Sequence, residues 1–310
     1  MYDGPVIDAF LHSPWIGNFD GPVPRADVVP WTDDPRLRRV MHTFHHSGDS
    51  EGGGGPPQLP LDDLLGAMDG AGVTGGVLVA KVYYPSTADK LRVLHDELAA
   101  LSAHAKGRLP WVATILPPEH GQGSYWDLMA NPRLIEALKD LPGLLGVHIT
   151  PSPWGLPPND RWYYPLYARC VDLGLVLFSY VGMPGPLWPM EPNNPAYLED
   201  IALAFPDLKI VAHHLGDPWT ERMIRLAAHY SNIWICTSAW YPKAWPKPLM
   251  GFLAGSWHGT PGCERVIFAS DFPLLDMGKT VAAARKLDLS EQQLSRLLHD
   301  NAHELFFNGR

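Results

Sequence analysis

Apolar residues in this chain fall into short unbroken runs that alternate with amphipathic stretches, and the alternation begins in earnest after residue 59. Leu61, Leu64, Leu65 and Met68 recur at helical spacing and stop at Gly70-Ala71-Gly72, where glycine can take the left-handed cap conformation. A strand is predicted next over about 76 to 82, then a long helix over about 87 to 106 and a strand over about 109 to 115. The same alternation predicts a helix over 124 to 141, a strand over 145 to 150 and a helix over 163 to 174. The run from Leu175 to Val181 has the apolar character of a strand buried on both faces of a parallel sheet. Further helices are predicted over 197 to 205, 220 to 230 and 249 to 257, separated by strands over 209 to 215 and 233 to 238. The last strand, Arg265-Val266-Ile267-Phe268-Ala269-Ser270, ends on Asp271 and a Phe-Pro pair, and two helices over 277 to 306 close the chain.

With the first run, Val6 to His12, this makes eight strands, each followed by a helix. No GxGxxG turn leads from a strand into a helix, so the pattern favours a closed (β/α)8 TIM barrel over an open doubly wound sheet. A chain of 310 residues suits one barrel domain spanning 1–310. Residues 14–60 lack periodicity and read as a loop insertion after strand 1, either a lid over a pocket or a surface loop. Its His42, His45 and His46 precede a glycine tract, Gly52 to Gly55, which does not preorganise ligands, so they are not counted as a site.

Composition narrows the partners. A formal charge of -9 without Lys or Arg clusters argues against nucleic acid. Nowhere do 18 apolar residues run consecutively, and the N-terminus has no leader pattern, so neither a membrane partner nor a signal peptide is expected and the cytoplasm is the expected location. Cys170, Cys236 and Cys263 have no CxxC spacing and read as reduced core residues. Proline-tryptophan pairs such as Pro153-Trp154 stiffen several loops and offer aromatic surface to an apolar small-molecule substrate.

Active sites of such barrels lie at the C-terminal ends of the strands. The polar residues predicted there are Asp8 and His12 on strand one, His148 on four, His213 and His214 on six, and Asp271 on eight. Imidazoles and carboxylates converging on one mouth can ligate zinc or manganese, or act as general acid and base. Adjacent residues on a strand point to opposite faces, so only one of His213 and His214 is expected to look into the barrel, the other packing against a helix.

Three segments carry a resemblance. Ile210 to Trp219 (IVAHHLGDPW), Asn232 to Trp240 (NIWICTSAW) and Arg265 to Pro273 (RVIFASDFP), followed by Asn301-Ala302 and Leu305-Phe306, resemble the amidohydrolase-related proteins. That branch of the amidohydrolase superfamily includes aminocarboxymuconate-semialdehyde decarboxylase and the resorcylate decarboxylases. The resemblance implies the barrel, a divalent metal and, as in many relatives, a homo-oligomer such as a dimer. The chain departs from the family pattern at two metal positions. The opening Asp-x-His-x-His reads Asp8-Ala9-Phe10-Leu11-His12 here, and on strand five Tyr180 or Met183 stands where a histidine is usual.

With imidazoles replaced in this way, the expectation is that no cofactor is bound. The alternative is one zinc or manganese held by His12, His214 and Asp271. Asp271, His214, His12 and Tyr180 are the expected catalytic residues, with His148, Phe10, Met183, Trp154 and Trp240 lining the substrate. The leading functional expectation is acid/base hydrolysis of a small apolar, aromatic or cyclic substrate. Non-oxidative, metal-dependent decarboxylation of an aromatic or unsaturated carboxylate is the alternative. A metal-free cyclase, isomerase or hydro-lyase, and a binding subunit without catalysis, are further ones.

Overall fold

The computed structural model describes residues 2–12, 61–80, 88–118 and 127–308. The 14–60 insertion and its histidines therefore lie outside the described residues. Eight parallel strands run in chain order around one sheet. They are β1 (Val6–His12), β2 (Val73–Val79), β3 (Trp111–Thr114), β4 (Leu144–Ile149), β5 (Val176–Tyr180), β6 (Ile210–His213), β7 (Ile233–Cys236) and β8 (Val266–Ile267). The sheet closes nearly into a barrel. Ala9 N donates to Phe268 O at 3.1 Å and His12 N to Phe272 O at 2.9 Å, joining the first strand to the last.

Two apolar layers account for the unbroken runs. One side chain in each alternating pair points outward to the helices, and the other points into the barrel, where Ile7, Val77, Val112, Val176, Phe178 and Ile267 belong to a single buried cluster. The final helix (Asn301–Phe306) adds Ala302, Leu305 and Phe306 to that interior cluster. Phe306 sets its ring 5.6 Å from that of Phe178. Leu305 lies beside Lys209 and Arg265, the residues just before β6 and β8, so this helix floors the barrel at the N-terminal ends of its strands. The opposite end is left for chemistry.

Element boundaries differ from the predicted ones where side chains replace the ladder. Only Val266 and Ile267 of the eighth run are regular strand, because Ala269 N donates to the Thr237 hydroxyl at 3.0 Å. The C-terminal region forms three short helices: Met277–Ala284, capped by Asp276, Glu291–Ser295, opened by a Ser290–Gln293 capping box, and the floor helix, reached through a π turn over Arg296–Asp300. Cys170, Cys236 and Cys263 are free and buried, as expected. Among the described residues no helix is long and apolar enough to cross a membrane.

Candidate active site

The mouth of the barrel is built from strand ends that leave the sheet abruptly. His214 (φ 66°), Leu215 (φ 60°), Ala239 (φ 66°) and Asp271 (φ 62°) all adopt left-handed backbone. Non-glycine residues there cost on the order of 1 kcal/mol each, and they tend to gather where surrounding structure holds a functional group in place. Four of the six such residues among those described follow β6, β7 or β8.

Asp271 meets two of the predicted histidines. His12 Nε2 lies 2.7 Å from Asp271 Oδ1, with both side chains buried, and His214 Nδ1 lies 4.0 Å from Asp271 Oδ2. The first is a close imidazole–carboxylate ion-pair contact; the second is beyond hydrogen-bond reach. Beneath them Asp8 is completely buried. Its carboxylate accepts from Ser270 N at 3.0 Å, from Phe10 N at 3.2 Å and from the Ser270 hydroxyl. Burial raises its pKa to about 7 in spite of those donors, and the nearby charge of Asp271 adds to the rise. Asp8 thus ties β1 to the Ser270-Asp271 segment, and Asp271 is left to face the histidines.

Phe10 is the hub of a ring cluster. A register shift in β1 between Asp8 and Leu11 puts Ala9 and Phe10 both in the interior cluster, against strict alternation. The Phe10 ring then meets His213 at 4.7 Å, His12 at 5.3 Å, His214 at 5.6 Å and His148 at 6.4 Å, each edge to face. His148 and His213 contact one another at 5.1 Å. The expectation that His213 and His214 diverge is corrected here. β6 ends at His213, the left-handed turn at His214 swings its ring to the same side, and the two rings lie 5.6 Å apart.

Tyr180 lays its ring 4.3 Å from that of His214, but its hydroxyl serves the loop that follows, donating to Met183 O at 3.2 Å and accepting from Gly185 N at 3.1 Å. Burial raises its pKa, which keeps the phenol protonated. Met183 stands exposed on that loop. Trp154 packs against Trp162 at 5.9 Å, and Trp240 rests on the outer apolar layer while its carbonyl accepts from Trp245 Nε1 at 2.8 Å. Among the described residues no ring contact joins either tryptophan to the histidine cluster. Sequence reasoning missed Ser238 and Ser270, which bond His214 and Asp8. Their signal was a small hydroxyl residue two positions beyond the end of β7 and another directly before Asp271.

A barrel with an imidazole–carboxylate pair at its mouth defines a class of α/β enzymes, and the comparisons identify the family. The chain belongs to the amidohydrolase family, whose model matches residues 42–307. Among solved structures it is similar to an uncharacterized TIM-barrel protein from Bordetella bronchiseptica, with a TM-score of 0.71 and 20% identity over 97% of this chain and 98% of that one. A 5-carboxyvanillate decarboxylase from Sphingomonas paucimobilis is similar with a TM-score of 0.67 and 19% identity, over 97% and 98% of the two chains. A dihydroxybenzoic acid decarboxylase from Polaromonas, crystallised with manganese and the inhibitor 2-nitroresorcinol, has a TM-score of 0.67 and 16% identity, over 99% and 98%. No curated protein matches the sequence.

At these identities the likeness shows the fold. The bound manganese nonetheless overturns the expectation of a barrel with no cofactor, which rested on two substituted positions alone. Carboxylate oxygen and imidazole nitrogen are suitable donors for manganese or zinc. His12 and Asp271 supply one of each in direct contact. Among the described residues, however, no group of three or more His, Cys, Asp or Glu is arranged to hold a metal ion, so these donors alone do not complete a site.

Proposed function

We propose that this chain is a lyase that removes carbon dioxide from a small aromatic or unsaturated carboxylic acid, without oxidation. The observation that carries the reading is the buried 2.7 Å contact between His12 Nε2 and Asp271 Oδ1, set at the mouth of the barrel beside His214 and against the Phe10 ring. Support also comes from the decarboxylases of the same fold.

Decarboxylation of an aromatic acid replaces a carbon–carbon bond with a carbon–hydrogen bond. A proton adds to the ring carbon that bears the carboxylate, the carbon–carbon bond breaks, its electron pair returns to the ring, and carbon dioxide leaves. The protein must therefore hold one proton close to an apolar ring, and keep water out. The His12–Asp271 pair holds a proton between two buried groups and delivers it to the ring carbon. His214 stands beside Asp271 at 4.0 Å, held by Ser238, and the pair takes up a proton from solvent again after release of the product. Phe10 and the edges of His148 and His213 give an aromatic substrate an apolar wall. The cofactor this reading calls for is a divalent metal, which when bound would polarise the substrate carboxylate; its donors would be needed in addition to the His12–Asp271 pair, which holds the proton.

The test is carbon dioxide release from a panel of hydroxybenzoic and vanillic-type acids, with manganese added, run in heavy water. The expected product carries one deuterium at the vacated ring position. Asp271→Asn is expected to lower the rate by about 100-fold or more, the usual size of a lost acid/base group. Cleavage of esters, lactones or amides without carbon dioxide release would instead establish the hydrolase reading.

A further inference from the structure

We propose that His299 and His303 form a metal site at the floor end of the molecule, separate from the barrel mouth. It takes a late transition-metal dication such as zinc through two imidazoles and leaves the remaining positions to water. The proposal goes beyond the decarboxylase reading and does not depend on it.

His299 lies in the π turn over Arg296–Asp300, and His303 follows four positions later in the floor helix. Side chains four apart share one face of a helix, and an H-x-x-x-H pair on one face is a spacing with which helices hold zinc. The two rings lie 5.2 Å apart between centroids with 24° between their planes. Zinc–nitrogen bonds are about 2.0–2.1 Å, so the rings must close up on the ion, which the exposed His303 is free to do. Phe307, four positions further on, stacks on His303 at 6.2 Å and continues the same face.

A second observation points to a ligand. His299 Nδ1 lies 3.0 Å from Asp300 Oδ1, and the Ser295 hydroxyl donates to Asp300 Oδ2 at 2.8 Å. A carboxylate accepts, so Nδ1 carries a hydrogen toward it and Nε2 is the nitrogen turned to a metal. Ligating histidines commonly give their other N–H to a carboxylate in this way, which fixes the ring and makes it a better donor. The side chains of His299 and Asp300 are 22% and 36% exposed, so an ion reaches them from solvent. Arg296, the cation of the same turn, is paired with Glu304 at 2.7 Å, which offsets its charge.

Two imidazoles and water suit zinc, copper or nickel better than manganese, which prefers oxygen. Among the described residues no group of three or more His, Cys, Asp or Glu is arranged to hold a metal ion, so this is an open, two-ligand site. An ion there bridges the π turn to the helix that carries Phe306, and it stabilises the folded chain because it binds that state alone.

The experiment is calorimetric titration of the full-length chain, stripped with a chelator that is then removed, with zinc chloride and with manganese chloride. Wild type, His299→Ala, His303→Ala and Asp300→Asn are compared, so that uptake elsewhere in the chain cancels. The wild type is expected to bind one zinc more than either histidine variant, and that difference should persist when Asp271→Asn is added to each. Manganese titrations of wild type and His303→Ala should superimpose. Asp300→Asn should weaken the zinc site about 10–100-fold, the usual loss when the partner of a ligating histidine is removed. Equal zinc uptake by wild type and both histidine variants overturns the proposal. So does a difference that vanishes with Asp271→Asn, which would put the ion at the mouth, or a manganese loss as large as the zinc loss. Unchanged zinc affinity in Asp300→Asn also overturns it, because binding would then be chance capture by two surface rings. If an Ala variant does not fold, His303→Gln, a polar replacement at an exposed position, carries the same comparison.

Discussion

Asp8 is a carboxylate whose own hydrogen bonds do not outweigh its burial. With its pKa raised to about 7 in the fold against 3.8 for the exposed group, the folded chain holds this proton over a range where the unfolded chain has lost it. Stability contributed by the protonated form is complete below about pH 4, declines as pH rises and is gone above about pH 7, so this one residue makes the protein less stable toward neutrality. Asp8→Asn keeps the acceptor for Ser270 N and Phe10 N and cannot ionise. Urea unfolding at pH 4, 6 and 8 should find the variant gaining on the wild type as pH rises, by at most about 4 kcal/mol, which is three pH units converted at 1.36 kcal/mol each. Parallel curves would mean that the carboxyl titrates normally. Burial acts with the opposite sign on His95, whose pKa it lowers to about 3, while Nε2 accepts from Thr114 N at 3.1 Å. A buried histidine of that kind is structural. What marks His12 is the carboxylate at 2.7 Å, a relation that residue type alone does not convey.

The strands decide how closely the site elements can approach. β4 passes β5 at Gly146, where a Cβ would run into the backbone carbonyl of Val176. Gly146→Ala is therefore expected to cost about 3 kcal/mol or more, or to abolish folding, because neither backbone can move without breaking ladder bonds next to His148. Gly66, in the helix Leu61–Ala71, has nothing within 4 Å of the same position, and Gly66→Ala there should instead stabilise by about 0.5–1 kcal/mol. Thermal melts of the two variants side by side check both; equal effects would refute the packing argument. The segment after β5 shows the same economy in a loop. Tyr180 bonds Met183 and Gly185, Asn193 Nδ2 donates to Gly182 O at 3.1 Å, and the Ser152 hydroxyl donates to Pro189 O at 2.7 Å. The hydroxyl of Tyr180, one of the expected catalytic residues, is bonded here to the wall of the mouth.

At the scale of the molecule the barrel has a floor and a mouth, joined by a line of rings. Phe306 is buried against Phe178 at the floor, Phe178 lies 5.4 Å from the ring of His213, and His213 meets Phe10 at 4.7 Å. Phe306→Ala should lower unfolding free energy by about 3–5 kcal/mol in urea unfolding, as large-to-small changes in a core do. A loss below about 1 kcal/mol would show that the floor helix contributes little to the core. Most of this architecture was legible in the chain. Uninterrupted apolar runs require strands buried on both faces, and helical periods between them require crossovers, so eight repeats left few alternatives to a barrel. Strand-end position also brought out His12, His148, His214 and Asp271 as candidates. The bulge that turns Phe10 inward, the left-handed turn that puts His213 and His214 on one side, and the serines behind His214 and Asp8 were not legible. Residue type and loop position do not convey that Trp154 packs on Trp162. By itself the sequence determined the order, number and burial of the elements, because periodicity is local and summed over many residues. Only the tertiary structure decided which side chains meet, because a single irregular φ or a one-residue register shift redirects a ring by a whole face, and contacts such as the one from Asp8 to Ser270 span 262 positions of chain.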